Sequence, residues 1–176
     1  MTADQDKGKG VYSVDKLISE ARLLAAEYRR ATGQPLGIST EIARHDACQL
    51  LDLEPAAEGV GGYDAIGHGE RQGQRIQIKG RVIFDEAKRN QRIGQLKLDQ
   101  EWDSVMLVLM DENYATESIY EADRLAIIEA LDEQKDSSRS KRGAMSVAKF
   151  KNIARLVWNH VEGVVADEVW DNQSGA

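Results

Sequence analysis

The sequence is poor in the features that build disulfide scaffolds and membrane spans. It contains a single cysteine, Cys48, which excludes an intramolecular disulfide framework and a four-cysteine zinc site. The longest apolar stretch, residues 105–110, is far too short to cross a bilayer. The first ten residues are polar and lack the apolar run of a signal peptide. We therefore expect a globular, cytoplasmic protein.

Basic side chains are outnumbered by acidic ones, 23 to 30, so the net charge is −7. Domains that bind nucleic acid are usually basic, so the total alone argues against such a partner. This charge is unevenly distributed along the chain. Residues 71–97 and 137–155 each carry a net charge of +6, whereas residues 98–136 carry −10. The two basic blocks predict the walls of a nucleic-acid groove, and solvated polar loops are the alternative.

The length of 176 residues is that of one domain. We expect a mobile tail over residues 1–12, a single domain over residues 13–165 and a C-terminal tail over residues 166–176. Apolar residues at helical spacing predict four helices, over residues 13–31, 40–51, 123–131 and 146–161. We expect the first and last helices to pack together as an outer layer.

Several segments between the second and third helices have the pattern of strands. Residues 62–66 are short and extended, and residues 74–84 alternate between apolar and polar side chains. Residues 104–110 are apolar on both faces, which predicts a central, doubly covered strand. Residues 116–120 could pair beside it. The order predicts an α/β fold, a small mixed sheet flanked by helices.

The polar side chains of two neighbouring strands suggest a chemical site. Asp64 lies on the short strand, and thirteen residues later Gln77 is followed by Lys79 on the same face of the next strand. A turn between the strands would bring the three together. Mg²⁺ needs only one or two protein carboxylates, and the amide oxygen of Gln77 is a neutral donor. Lys79 would supply a positive charge for a phosphate or a developing hydroxide.

These residues resemble the PD-(D/E)XK, restriction-endonuclease-like nuclease superfamily. Asp64 fits the first position of that pattern and Lys79 the last, while Gln77 stands where an acidic residue is usual. Gln-x-Lys is similar to the Mrr-like branch, which is associated with cleavage of foreign or modified DNA. Tyr63 replaces the proline of the pattern. The resemblance covers about residues 36–122 and implies a restriction-endonuclease-like αβββαβ core.

The resemblance also implies a metal-ligating glutamate on the helix before the first strand, a position that Glu41 occupies. It implies an endonuclease that uses Mg²⁺ or Mn²⁺ to hydrolyse DNA, with Glu41, Asp64, Gln77 and Lys79 in its site and Glu41, Asp64 and Gln77 on the metal. A homodimer is compatible with it. The basic side chains that we expect to contact phosphates are Arg75, Arg81, Lys88, Arg89, Arg92, Arg139, Lys141 and Arg142.

Three alternatives stay open. The loss of an acid at Gln77 favours the same fold without catalysis, a module that binds DNA or a partner protein. Glu41, His45 and Cys48 share one helical face and could form a soft-metal site, although a small buried thiol and a surface imidazole explain His45 and Cys48 better. The polar face of the strand over residues 74–84 could also simply be solvated.

Overall fold

The computed structural model describes residues 13–85, 91–133 and 143–166. These ranges contain four α-helices: α1 (Val14–Thr32), α2 (Ser39–Leu51), α3 (Arg124–Asp132) and α4 (Val147–Ile153). They also contain seven strands: β1 (Glu54–Pro55), β2 (Ala65–Ile66), β3 (Arg75–Val82), β4 (Ser104–Met110), β5 (Thr116–Asp123), β6 (Arg155–Asn159) and β7 (Gly163–Val164). The protein is therefore mixed α/β, as predicted.

The strands form one mixed sheet in which the spatial order follows the chain order, from β1 to β7. Strands β3 and β4 are parallel, and all the other neighbouring pairs are antiparallel. The sheet is larger than the three or four strands expected from sequence, because β1, β6 and β7 also belong to it. The parallel pair requires a long crossover, which spans residues 83–103.

The sheet has an apolar core on each face, and β4 is buried along its whole length, which confirms the predicted central strand. Ile76 and Ile78 of β3 pack on one face in a cluster with Ile42 of α2. Leu107 of β4 packs on the other face in a cluster with Phe150 of α4. Alternation along β3 therefore directs its apolar side chains to the α2 face and its polar side chains to the face beneath the crossover.

Both predicted N-terminal helices are confirmed, and local signals explain their ends. Ser13 caps α1 by accepting a hydrogen bond from the backbone N–H of Lys16 at 3.3 Å. Gly33 ends the helix with a φ of +73°, a conformation that favours glycine. Helix α1 is tied to α2 by Arg22, whose guanidinium contacts the Asp46 carboxylate at 2.9 Å. In the described residues, no helix combines the length and the apolar character needed to cross a membrane.

The predicted closing helix over residues 146–161 is wrong beyond Ile153. Helix α4 ends there, and the next residues form β6, which pairs with β5. The apolar run around Val157 and Trp158 fits either a helix or a strand, and the exposed edge of β5 decides in favour of a strand. The outer layer of first and last helices is also wrong, because Ala25 of α1 and Phe150 of α4 belong to the cores on opposite faces of the sheet.

Candidate functional site

The strands β2 and β3 form a fork whose branch point is fixed by backbone pairing. Ala65 and Ile66 pair with Ile76 and Arg75, while β3 continues to Val82. At the point where the strands separate, the Asp64 carboxylate accepts a hydrogen bond from the backbone N–H of Ile78 through Oδ2 at 2.7 Å. This bond fixes the orientation of the carboxylate beside β3.

A cavity of about 220 Å³ lies in this fork, and it will be called the basic cavity. Asp64, Gln77 and Lys79 all line it, so the three side chains singled out by sequence meet at one place. Of the described residues, four cationic side chains line the basic cavity against one carboxylate: Arg44, Lys79, Arg81 and Lys97. Such a surplus of positive charge in a concave site attracts an anion such as a phosphate.

Gln77 is the least satisfied polar group of the basic cavity. Its side chain is buried, with the residue 2% exposed. Neither its amide oxygen nor its amide nitrogen has a hydrogen-bond partner among the described residues. An unsatisfied buried group of this kind costs on the order of 1–3 kcal/mol. The amide is therefore an unsatisfied polar group in the wall of the basic cavity, and the solvated-face alternative is wrong for this position.

Lys79 and Arg81 hold the crossover over the polar face of β3. The Lys79 ammonium donates to the backbone carbonyl of Gln95 at 3.0 Å. The Arg81 guanidinium donates to the carbonyl of Gly80 at 2.7 Å and also to that of Arg92. Burial lowers the pKa of Lys79, and the neighbouring cations Lys97, Arg81 and Arg44 lower it further, whereas Asp64 opposes the shift. Burial lowers the pKa of Arg81 as well.

Arg44 is the residue of the site that sequence reasoning missed. Its guanidinium lies 2.7 Å from Oδ1 of Asp64 and is about half exposed, whereas the Asp64 side chain is 16% exposed. Helix α2 can approach β3 this closely because residue 80 is glycine. A Cβ at Gly80 would lie 2.6 Å from Cβ of Ala43 and 2.8 Å from the carbonyl oxygen of Ser39. The glycine in the Lys-Gly-Arg segment is the one sequence signal for this contact.

Glu41 does not join the other three predicted site residues. It is exposed on α2, and it does not line the basic cavity, which Thr40 and Arg44 reach from one helical face. Among the described residues there is no group of three or more His, Cys, Asp and Glu side chains suited to a metal. Asp64 and Gln77 nevertheless offer a carboxylate and an amide oxygen, which are ligands that Mg²⁺ takes. Both Asp64 oxygens are engaged in this structure, by Arg44 and by the backbone N–H of Ile78, so a metal at this place would have to displace the Arg44 guanidinium.

The structure places the remaining predicted residues as follows. The guanidinium of Arg75 is engaged by Asp103 at 3.1 Å and by Glu101 at 2.7 Å. Arg92 is exposed on the crossover itself. Five predicted phosphate contacts lie outside the described residues: Lys88, Arg89, Arg139, Lys141 and Arg142. All eight stay predictions.

The chemistry of Cys48 argues against a soft-metal site on the face of α2 that carries His45 and Cys48. Burial, and secondarily the charge of Asp64, raises the pKa of the Cys48 thiol to about 11. The thiolate that a metal requires is therefore unfavourable. The His45 ring lies 3.3 Å from the carboxylate of Asp15.

No protein-family model matches the chain, and no curated protein matches it.

Proposed function

We propose that this chain is a metal-dependent phosphodiesterase that cleaves DNA at the basic cavity. The observation that carries the proposal is the convergence of Asp64, Gln77 and Lys79 on one cavity in which the buried Gln77 amide has no partner in the described part of the chain. A buried polar group without a partner is expensive, so its presence beside a carboxylate and an ammonium group favours a bound ligand.

The order of elements supports the same proposal. Helix α2 is followed by the short strands β1 and β2, then by β3, a crossover and the parallel strand β4. This order is similar to the αβββαβ core of restriction-endonuclease-like nucleases as far as β3, and again in the parallel strand that follows the crossover. One difference is that the described part of the crossover, residues 91–103, contains no helix.

Each side chain of the basic cavity has a role in the proposed reaction. Lys79 and Lys97 would bind the non-bridging oxygens of the phosphodiester, while Arg81 holds the crossover that covers them. Asp64, oriented by the N–H of Ile78, and the amide oxygen of Gln77 would hold Mg²⁺ or Mn²⁺. When bound, such a metal lowers the pKa of a water molecule and neutralises charge on the phosphate.

The proposal is tested by cleavage of supercoiled plasmid and of linear DNA in Mg²⁺ or Mn²⁺. We expect cleavage by the wild-type protein that is abolished by EDTA and falls at least about 100-fold in Asp64→Asn and Lys79→Met. The matched controls are Asp132→Asn and Lys151→Met, which alter exposed side chains outside both the cavity and its walls. Equal activity in the site and control variants would overturn the proposal.

A second function is favoured by one specific observation, the ion pair between Arg44 and Asp64. The Arg44 guanidinium is paired with the Asp64 carboxylate, which would have to ligate the metal. Glu41 does not line the cavity. The same cavity would then bind a DNA phosphate without cleaving it. This module retains DNA in EDTA and is indifferent to Asp64→Asn, whereas the nuclease loses metal-dependent cleavage in that variant.

A further inference from the structure

A second and larger cavity lies on the other side of the Arg44–Asp64 ion pair. Its volume is about 560 Å³, within the range of about 300–1,000 Å³ that is usual for small-molecule sites. The N-terminus of α1, the face of α2 that carries Cys48, and the segment after β1 form its walls. Arg44 and Asp64 line both cavities, so one pair of side chains separates the two sites.

The lining of the larger cavity differs in chemistry from that of the basic cavity. Cys48, Leu53 and Val60 give it apolar surface, and Tyr63 adds an aromatic side chain. Its charged members are mainly acidic, namely Asp15, Glu58 and the shared Asp64, with Arg44 as the cation of the pair. This lining disfavours a phosphate and suits a neutral, planar, partly apolar group whose N–H groups can donate to carboxylates.

We propose that the larger cavity binds the nucleobase of the nucleotide whose phosphate lies in the basic cavity. The inference rests on the proposed function, because it takes the basic cavity as the phosphate site. The base and the phosphate of one nucleotide are separated by a single sugar ring, and the two cavities are separated by a single ion pair. The matched pair of a cationic and an apolar-acidic cavity fits the two ends of one nucleotide.

Recognition of the base follows from the side chains at hand. Tyr63 provides a surface on which a base can stack, an interaction that is indifferent to base identity. The half-buried His45 can accept or donate at a base edge, and the carboxylates of Asp15 and Glu58 can accept from its N–H groups. A base can enter such a cavity only when it has left the helical stack. The substrate is therefore expected to be single-stranded DNA or a duplex with an extruded nucleotide.

The test separates the base from the phosphate. Binding of deoxyadenosine 5′-monophosphate and of 2-deoxyribose 5-phosphate is measured by calorimetry or NMR titration for four proteins. The first three are the wild type, Ala57→Trp, which fills the larger cavity, and the control Ala115→Trp, which alters an exposed loop outside both cavities. A fourth protein, Cys48→Leu, fills the cavity from α2 in case the loop variant rearranges.

We expect the nucleotide to bind the wild type and the control about 5- to 150-fold more tightly than the sugar phosphate. In Ala57→Trp and Cys48→Leu this ratio falls towards one, while the affinity for the sugar phosphate is unchanged. Equal affinity for both compounds in the wild type, or a ratio that survives both filling variants, would overturn the base site and leave the phosphate site standing. If neither compound binds to the wild-type protein, both proposals are overturned.

Discussion

Asp64 and Glu121 are both carboxylates that pair with arginine beside the same sheet, yet their surroundings differ. Glu121 is 5% exposed and contacts Arg71 at 2.8 Å, Arg155 at 3.6 Å and the Ser104 hydroxyl at 3.1 Å. Within the described ranges, Asp64 has one arginine, which is half exposed, and a single backbone N–H. Beside Asp64 lies the Gln77 amide, for which the same residues provide no partner.

The difference separates a polar cluster that stabilises the fold from one that is open to a ligand. Every oxygen of Glu121 is engaged by residues of the chain, and Arg71 thereby fastens the β2–β3 turn to β5. Both oxygens of Asp64 are also engaged, but its arginine is half exposed and the neighbouring Gln77 amide has no hydrogen-bond partner among the described residues, so this cluster is incomplete. An incomplete cluster costs stability, and that cost is typical of functional sites.

The largest expected effect comes from Glu121→Gln. Removal of the charge leaves Arg71, which is 15% exposed, without its counter-ion. Loss of one partner of a buried ion pair destabilises a protein by about 3 kcal/mol or more. Urea denaturation should show this decrease in the free energy of unfolding. Glu117→Gln, on an exposed position of the same strand, is the control, and an equal effect in both variants would contradict the prediction.

A change of opposite sign is expected from Gln77→Met. The substitution removes two unsatisfied buried atoms and keeps the length of the side chain, so the free energy of unfolding should rise by about 1 kcal/mol. Metal-dependent cleavage should be lost in the same variant. Gln72→Met, in the exposed turn, should change neither property. A destabilised Gln77→Met protein would show that the amide is satisfied in solution.

Arg44→Gln should release Asp64 for a cation with little effect on stability, since the guanidinium is half exposed. Removal of the competing charge should tighten Mn²⁺ binding roughly fivefold, the equivalent of about 1 kcal/mol at a hydrated site. Calorimetric titration of the metal alone measures this. Arg30→Gln on exposed α1 is the matched control, and an unchanged Mn²⁺ affinity in Arg44→Gln would refute the competition.

The smallest effect uses Cys48 as a reporter of the Asp64 charge. Burial is the larger cause of its raised pKa, and Asp64 the smaller. Because a raised pKa means less thiolate at pH 8, Asp64→Asn should accelerate labelling by a thiol reagent, by less than about tenfold, or one pKa unit. Glu121→Gln, assayed under conditions where it is folded, should leave the rate unchanged. Equal labelling rates in Asp64→Asn and the wild type would show that the charge of Asp64 does not contribute to the raised pKa of Cys48.

Much of the strand pattern could be predicted from the sequence, because alternation reports directly on the two faces of a sheet. The bounds of β4 match the predicted residues 104–110, and the convergence of Asp64, Gln77 and Lys79 follows from a hairpin and a two-residue period. The burial of Gln77 could not be predicted in this way. It depends on how the crossover folds back over the polar face, which the alternation along β3 does not show.

The helical part of the site was harder to predict for a physical reason. Helical spacing shows which residues share a face, but the rotation of α2 is set by its packing on β3 at Gly80. That packing directs Arg44 rather than Glu41 to the cavity. The β6 strand was missed for a similar reason, since pairing with the β5 edge outweighed the helical pattern of residues 155–159.

The parallel pairing of β3 with β4 also determines when the basic cavity can form during folding. Ile76 and Ser104 are paired although 28 positions separate them, and such non-local contacts form slowly because loop closure comes first. The β2–β3 hairpin is local and can form earlier. Gly94 and Lys97 form the far wall of the basic cavity and belong to the crossover, so this wall forms only when the crossover packs. Binding competence is therefore among the last properties that a folding chain acquires.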